Sequence, residues 1–451
     1  MRRLLHVNYN HCFDFVFCLC CRYDLLNHQV QAQRGLALLF ATLVLAIGLT
    51  TVTDAKLASI EGTISSGFSS TIKSIVIIIF LGCLLGKLLE ETGAAQAITL
   101  SIVKLVGKKN VIWAIAFSGF ILGIPIFSDT VTILLIPIVS NLALETGASM
   151  MQYGAALGVG AQITHALVAP TPGPLAAAAL LGVPLSTAIP WGIIVSLPGC
   201  IASTIFCKQM KQMVLPKQEY VDAYNAEKEI KLPGTAASFA PIVVPLILIV
   251  SGTIINLQMP DTFVGDFFAF IGSPLAALLT GCILAWILTG PRKTSKLVLN
   301  DWVDRAMESA AMPLFVTGMG GALAQFIKDA KIAETIAEAI VGASIPGIFV
   351  PIVISVLVHV ITGSTTLAVA TAGALCLPMI ETLGITPLAT FLAVSSAGMM
   401  FKHGNSSAFW VCTSLSNMSF TQGLIAVGGG CTVASIVCCI VTVILSFAGI
   451  V

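Results

Sequence analysis

Charge is scarce in this chain. Only 10% of its 451 residues are Asp, Glu, Lys or Arg, while 57% are apolar; a soluble domain carries roughly 25% charged residues. No soluble fold hides that much apolar surface, so lipid is the solvent. The few charges balance to a net +1, which removes the argument for nucleic acid or for a strongly acidic partner. There is no HExxH stretch and no pair of acids inside an apolar run, the signatures that an intramembrane hydrolase would show. No Arg stands inside any apolar run. Most of the 13 Cys lie singly in apolar surroundings, where thiols act as small hydrophobes. The one dense group, Cys12, Cys18, Cys20 and Cys21, has no second pair at metal-finger spacing. No enzyme, catalytic residue, metal or cofactor is therefore expected.

What the chain does have is a series of apolar runs, read against about 20 residues per crossing. They are 36–53, 71–90, 111–127, 130–144, 150–168, 187–207, 238–257, 266–289, 306–327, 346–363, 366–380, 385–400 and 424–450. The runs 111–127 and 130–144 have almost no linker between them, and neither do 346–363 and 366–380. Each pair reads as a re-entrant hairpin, with tips at Ser128–Thr130 and Ser364–Thr366. Lys208, Lys211, Lys217, Lys228 and Lys231 mark the longest polar loop. Arg292, Lys293, Lys296 and Arg305 mark a second, and Lys104, Lys108 and Lys109 a third. All three are cytoplasmic by the positive-inside rule.

The halves resemble each other. Gly86 and Gly321 are 235 residues apart, Ser128 and Ser364 are 236, and His165 and His403 are 238. Five crossings separate the first span from its counterpart, and an odd number inverts the second copy. Inverted repeats with broken helices and midplane sites are a secondary-transporter architecture. The expected fold is an all-α integral membrane protein, an inverted-repeat secondary transporter with two re-entrant hairpins and two broken helices. Residues 1–34 form an atypical N-terminal segment, a degraded first helix or an unnatural start. Residues 35–207 form the first repeat, with hairpin 111–145 and broken helix 150–180. Residues 208–237 are a cytoplasmic linker. Residues 238–451 are the second repeat, with hairpin 346–380 and broken helix 385–410.

Ser-x-Thr recurs at both tips as Ser128–Thr130 and Ser364–Thr366, with Thr365 between the latter two. Helices that begin at a tip leave N–H groups free and add partial positive charge, which suits a carboxylate. Hydroxyls also pack routinely between membrane helices, but the duplicated placement favours a substrate site. Asp129 is a carboxylate at membrane depth, costing at least ~2.5 kcal/mol there. It is a candidate proton carrier, or else an acid facing a wet mouth. "THALVAPTPGP" sets Pro170, Pro172, Gly173 and Pro174 within five residues, too dense for a helix to survive. Thr171 and His165 flank that break, and Gly173 and Thr171 are candidate substrate contacts. The matching break, "KHGNSSAFW", offers His403, Asn405 and Ser406. Lys402 there either attracts an anion or snorkels. His165 and His403 are further proton-coupling candidates, although a hydrogen bond to a neighbouring helix accounts for His165 equally well.

"IPIFSDTVTILLIPI", "THALVAPTPGPLAAA", "GSTTLAVATAGAL" and "FKHGNSSAFW" together resemble the gluconate permease (GntP-type) family across residues 36–451. These are gluconate:proton symporters and include carriers of D-serine and related hydroxy acids. They belong to a wider ion-transporter superfamily with inverted repeats, two re-entrant hairpins and elevator-like motion. The resemblance implies proton-coupled uptake of a sugar acid across the bacterial inner membrane, by a chain that is often a homodimer. Sodium stays open as a coupling ion. Two departures stand out. Ser406 replaces the family's acid after Asn, and Ala169-Pro170 replaces its Pro-Pro. Asp129 is then the one acid at a tip or break. The alternatives are a carrier of D-serine or another small carboxylate and, less favoured, an anion channel. Counterflow separates them, because a channel shows no trans-stimulation.

Overall fold

The computed structural model of the protein describes residues 39–40, 42–44, 47–48, 60–227, 232–259, 261–329 and 346–451. These residues are helical with no strand among them. The readings for residues 1–34, and for linker residues 228–231, fall outside this range.

In chain order, α1 (Ile60–Glu91) and α2 (Ala94–Val106) precede a first hairpin, α3 (Val111–Leu122) and α4 (Ser128–Thr146). A broken helix follows, α5 (Met150–Leu167) and α6 (Pro172–Leu180). Then come the long α7 (Leu185–Lys208) and the short polar α8 (Gln218–Glu227). The second half runs through α9 (Thr235–Gln258), the bent pair α10 (Phe263–Ile271) and α11 (Pro274–Ile287), and α12 (Trp302–Asp329). The second hairpin, α13 (Phe349–Thr362) and α14 (Thr365–Cys376), is followed by a second broken helix, α15 (Pro387–Ala397) and α16 (Ser407–Leu415). The last helix is α17 (Phe420–Phe447). Repeat spacing recurs in the elements themselves. Pro172 and Ser407 open equivalent half-helices 235 residues apart, and Leu185 and Phe420 open α7 and α17 at the same spacing.

Three details differ from the sequence expectations. The chain turns at residues 123–127 and at Gly363–Ser364, so Ser128–Thr130 and Thr365–Thr366 are first turns of helices rather than tips. The proline cluster does not abolish helix. Pro172 opens α6, where a missing N–H costs no intrahelical bond, so the break is confined to residues 168–171. The run 266–289 is two helices bent by 60°. Ser273 caps α11 by accepting the Ala276 N–H at 3.3 Å, and Pro274 sits in its first turn, a start signal that interrupts α10.

Small residues set the packing. α1 begins well before the apolar run at 71, because "IEGTISSGFSS" lies against α12. A Cβ at Gly67 would fall 2.6 Å from the Gly321 carbonyl oxygen, so two backbones meet where only glycine fits. In α5 every residue but Gln152 is buried. A Cβ at Gly158 would fall 2.5 Å from Cys412 Sγ, which brings α16 against α5. The halves interlock crosswise. Hairpin helix α14 of the second half packs on α6 of the first, and α4 of the first packs on α16 of the second. That exchange carries both chain turns to one place.

Candidate functional site

Three helices begin around one cavity of about 300 Å³: α4 at Ser128, α14 at Thr365 and α16 at Ser407. Each start leaves up to four N–H groups without intrahelical acceptors and carries a fraction of a positive charge. The three starts therefore make an anion-favouring centre within apolar surroundings. Gln162 and His165 of α5 form one wall. Ser309 and Pro313 of α12 form another.

A run of hydrogen bonds crosses the cavity from an acid to a cation. The Ser128 hydroxyl shares its one proton between Gln162 Oε1 at 3.0 Å and Asp129 Oδ1 at 3.3 Å. Gln162 Nε2 donates to Thr365 Oγ1 at 2.9 Å. Lys402 Nζ donates to Thr365 Oγ1 at 3.2 Å and to Ser406 Oγ at 3.1 Å. Lys402 is only 2% exposed, so its ammonium does not snorkel to an interface. Thr365 Oγ1 thus accepts from an amide and an ammonium, which fills both lone pairs and leaves its own proton to donate. Ser406 Oγ likewise accepts from Lys402 and keeps its proton.

The acid end is more open. Asp129 is half-buried in the first turn of α4, where its charge complements the helix dipole. Among the described residues its one side-chain hydrogen bond is the 3.3 Å contact from Ser128. A carboxylate accepts up to about four hydrogen bonds, so most of its capacity faces the cavity. His165 Nε2 lies 3.3 Å from Thr366 Oγ1, and the Phe127 ring lies 5.5 Å from the imidazole. His165 Nδ1 is buried without a hydrogen-bond partner among the described residues.

Of the residues singled out in the sequence, Ser128, Asp129, Thr130, His165, Ser364, Thr365, Thr366 and Ser406 line this cavity. Four do not. Thr171 is buried behind it, its hydroxyl 2.6 Å from the Val168 carbonyl and 3.1 Å from that of His165, and so holds the first break shut. Gly173 is a packing position, because a Cβ there would fall 3.0 Å from Thr366 Cα. Asn405 donates to the Val360 carbonyl at 2.8 Å and ties the second break to α13. His403 is half-buried outside the lining. His403 and Asn405 lie next to the cavity residues Lys402 and Ser406 in sequence, and Thr171 and Gly173 follow His165 by six and eight residues, but backbone turns aim all four elsewhere.

Sequence reasoning missed Gln162 and left Lys402 undecided. Gln162 stands three residues before His165, so the two share a helix face. An amide on the same face as the histidine, in an otherwise small and apolar stretch, was the available signal. Ser309 and Pro313 carried none, since α12 reaches the site only through tertiary packing. Among the described residues no group of three or more His, Cys, Asp or Glu is placed to hold a metal ion.

Comparison with known proteins places this geometry in context. Residues 25–448 match the model of a family described as GntP family permease. An uncharacterized permease of Haemophilus influenzae is 31% identical over 367 residues, covering 77% of this chain and 75% of that protein. The high-affinity gluconate transporter of Escherichia coli is 27% identical over 384 residues, covering 84% and 86%. The Gnt-II system L-idonate transporter of Escherichia coli is 27% identical over 404 residues, covering 89% and 90%. Among solved structures, the Alcanivorax borkumensis YdaH transporter superposes with a TM-score of 0.66 at 12% identity, over 92% of this chain and 98% of that one. Neisseria gonorrhoeae MtrF also gives 0.66, at 13% identity over 94% and 97%. At such identities the last two speak for the fold alone.

Proposed function

Because the chain belongs to the GntP family of permeases, multi-pass transporters of the bacterial inner membrane, we propose that it takes up gluconate or a closely related sugar acid by proton symport. The hairpins and broken helices carry the substrate in an elevator-like movement, and the working unit is a homodimer. The observation that supports this reading best is the hydrogen-bonded run from Asp129 to Lys402, which spans both hairpins inside one cavity. A sugar acid is a carboxylate followed by a row of hydroxyls. Lys402 and the starts of α14 and α16 suit the carboxylate. Ser128, Thr130, Gln162 and Thr366 suit the hydroxyls. A volume of about 300 Å³ is at the small end of ligand pockets, in keeping with a single small acid. The relatives named for gluconate and L-idonate transport point the same way.

The test is uptake of labelled gluconate, L-idonate and D-serine into liposomes holding the purified protein. An imposed inward proton gradient should drive gluconate accumulation, and a protonophore should abolish it. A sodium gradient alone should not drive it. Accumulation of D-serine with no response to sugar acids would overturn the substrate assignment. Accumulation under sodium alone would overturn the coupling ion.

A further inference from the structure

The cavity has two chemically opposite ends, and that polarity restricts the substrate more narrowly than "sugar acid" does. Resting on the reading of the cavity as a sugar-acid site, we infer that the substrate's carboxylate seats at the Lys402–Thr365–Ser406 end and its far hydroxyls at the Asp129 end, so that the protein takes monocarboxylates and rejects diacids of the same length.

The cationic end is built for one carboxylate. Lys402 Nζ stands between Thr365 Oγ1 at 3.2 Å and Ser406 Oγ at 3.1 Å. Both hydroxyls accept from the ammonium, so their own protons are free to point at an incoming anion. Thr365 opens α14, and Ser406 is the N-cap residue of α16. Two helix dipoles therefore reinforce the same spot. The Thr365, Ser406 and Lys402 side chains are all at least nine-tenths buried, and charge-assisted hydrogen bonds are strongest where water is excluded.

The opposite end is four hydrogen bonds away along the run through Thr365, Gln162 and Ser128. Asp129 accepts hydrogen bonds and repels anions. A terminal hydroxyl of an aldonic acid donates to it. A second carboxylate at the same place meets a like charge in a half-buried site, which is strongly disfavoured. Gln162 fixes the separation of the two ends, because its amide bonds to Ser128 on one side and Thr365 on the other.

Equilibrium exchange of labelled gluconate in proteoliposomes, competed by unlabelled compounds, reads this without any ion gradient. The competitors are gluconate, its neutral analogue gluconamide, and the diacid glucarate. In the wild type, gluconamide and glucarate should each need at least about tenfold more than gluconate for half-inhibition, the former for want of a charged partner and the latter through repulsion. Lys402→Gln should bring the gluconamide-to-gluconate ratio toward one. Asp129→Asn should bring the glucarate-to-gluconate ratio toward one. Each ratio is internal to its variant, so expression level and turnover cancel. Where a variant fails to fold, the wild-type ratios decide by themselves, and either one near unity overturns the inference. Gluconate exchange with ratios unmoved by both variants overturns it while leaving the proposed function standing. No exchange of gluconate at all overturns both.

Discussion

The two chain turns hold equivalent places in the two halves and do different work. At the first, Phe127 precedes α4 and no side chain caps the helix, so the Ser128 hydroxyl is spent on Gln162 and Asp129. At the second, Ser364 is itself the cap, accepting the Leu367 N–H at 3.3 Å. Its neighbour Thr365 faces Gln162 and Lys402 instead. The first turn carries an acid in its opening helical turn; the second lies beside a buried ammonium. The cavity draws on equivalent elements of the two halves, and the residues that differ between them give it a negative and a positive end. The backbone differs too. Gly363 ends α13 at φ 64°, while the first turn uses Gly123 at φ −68°.

Inversion of the halves is the premise most open to an all-or-none test. Loop 208–234 should face the cytoplasm and Val451 the other side, since α9, the α10–α11 pair, α12, the second broken helix and α17 make five crossings between them. Cysteines introduced at 220 and near the C-terminus should react oppositely with an impermeant thiol reagent in intact cells. Labelling of 220 from outside would break the comparison. Next in size is Lys402. Lys402→Met should reduce gluconate uptake by about thirtyfold or more, since truncating a buried, hydrogen-bonded charge costs roughly 2–5 kcal/mol of binding. Uptake within a few-fold of wild type would mean that the positive end is idle. Asp129→Asn should bring steady-state accumulation under a proton gradient down to equilibration, with trans-stimulated exchange still detectable. If that variant still concentrates gluconate, coupling lies elsewhere, with His165 the next residue to change.

Smaller effects separate cap from contact. Gly363→Ala should lower stability in detergent by about 1–3 kcal/mol, through an unfavourable positive φ and a Cβ aimed at the Asn405 backbone. Ser364→Ala should cost about 1 kcal/mol as a lost N-cap and leave the half-saturating gluconate concentration nearly unchanged. Ser128→Ala should do the reverse, raising that concentration several-fold with little change in melting temperature. Equal behaviour of the two serines, read by thermal unfolding and by uptake kinetics, would show that the turns have not diverged.

Much of the architecture was legible without coordinates, for a physical reason. Lipid forces backbone polar groups to be satisfied within each segment, so Ser128, Pro170 to Pro174, Ser364 and "KHGNSS" could stand in apolar runs only where helices stop. The packing of the first turns of α1 against α12 was less visible, because small residues such as Gly67 carry no apolar signal of their own. The bend at Ser273-Pro274 was written in capping chemistry that a hydropathy reading passes over.

The chain by itself therefore determined the all-helical membrane class, the two hairpins, the two breaks and the family, because these follow from local composition and from motif order. Tertiary structure alone decided which of the polar residues at the breaks meet. Thr171, Gly173, Asn405 and His403 look equivalent to Ser128, Thr365 and Ser406 in one dimension. Backbone turns keep the first four out of the lining and bring the last three into the cavity. Gln162 became the bridge and Lys402 the positive end only because crosswise packing set α5, α14 and α16 within hydrogen-bond reach, at sequence separations of up to 203 residues, where no local pattern records the contact.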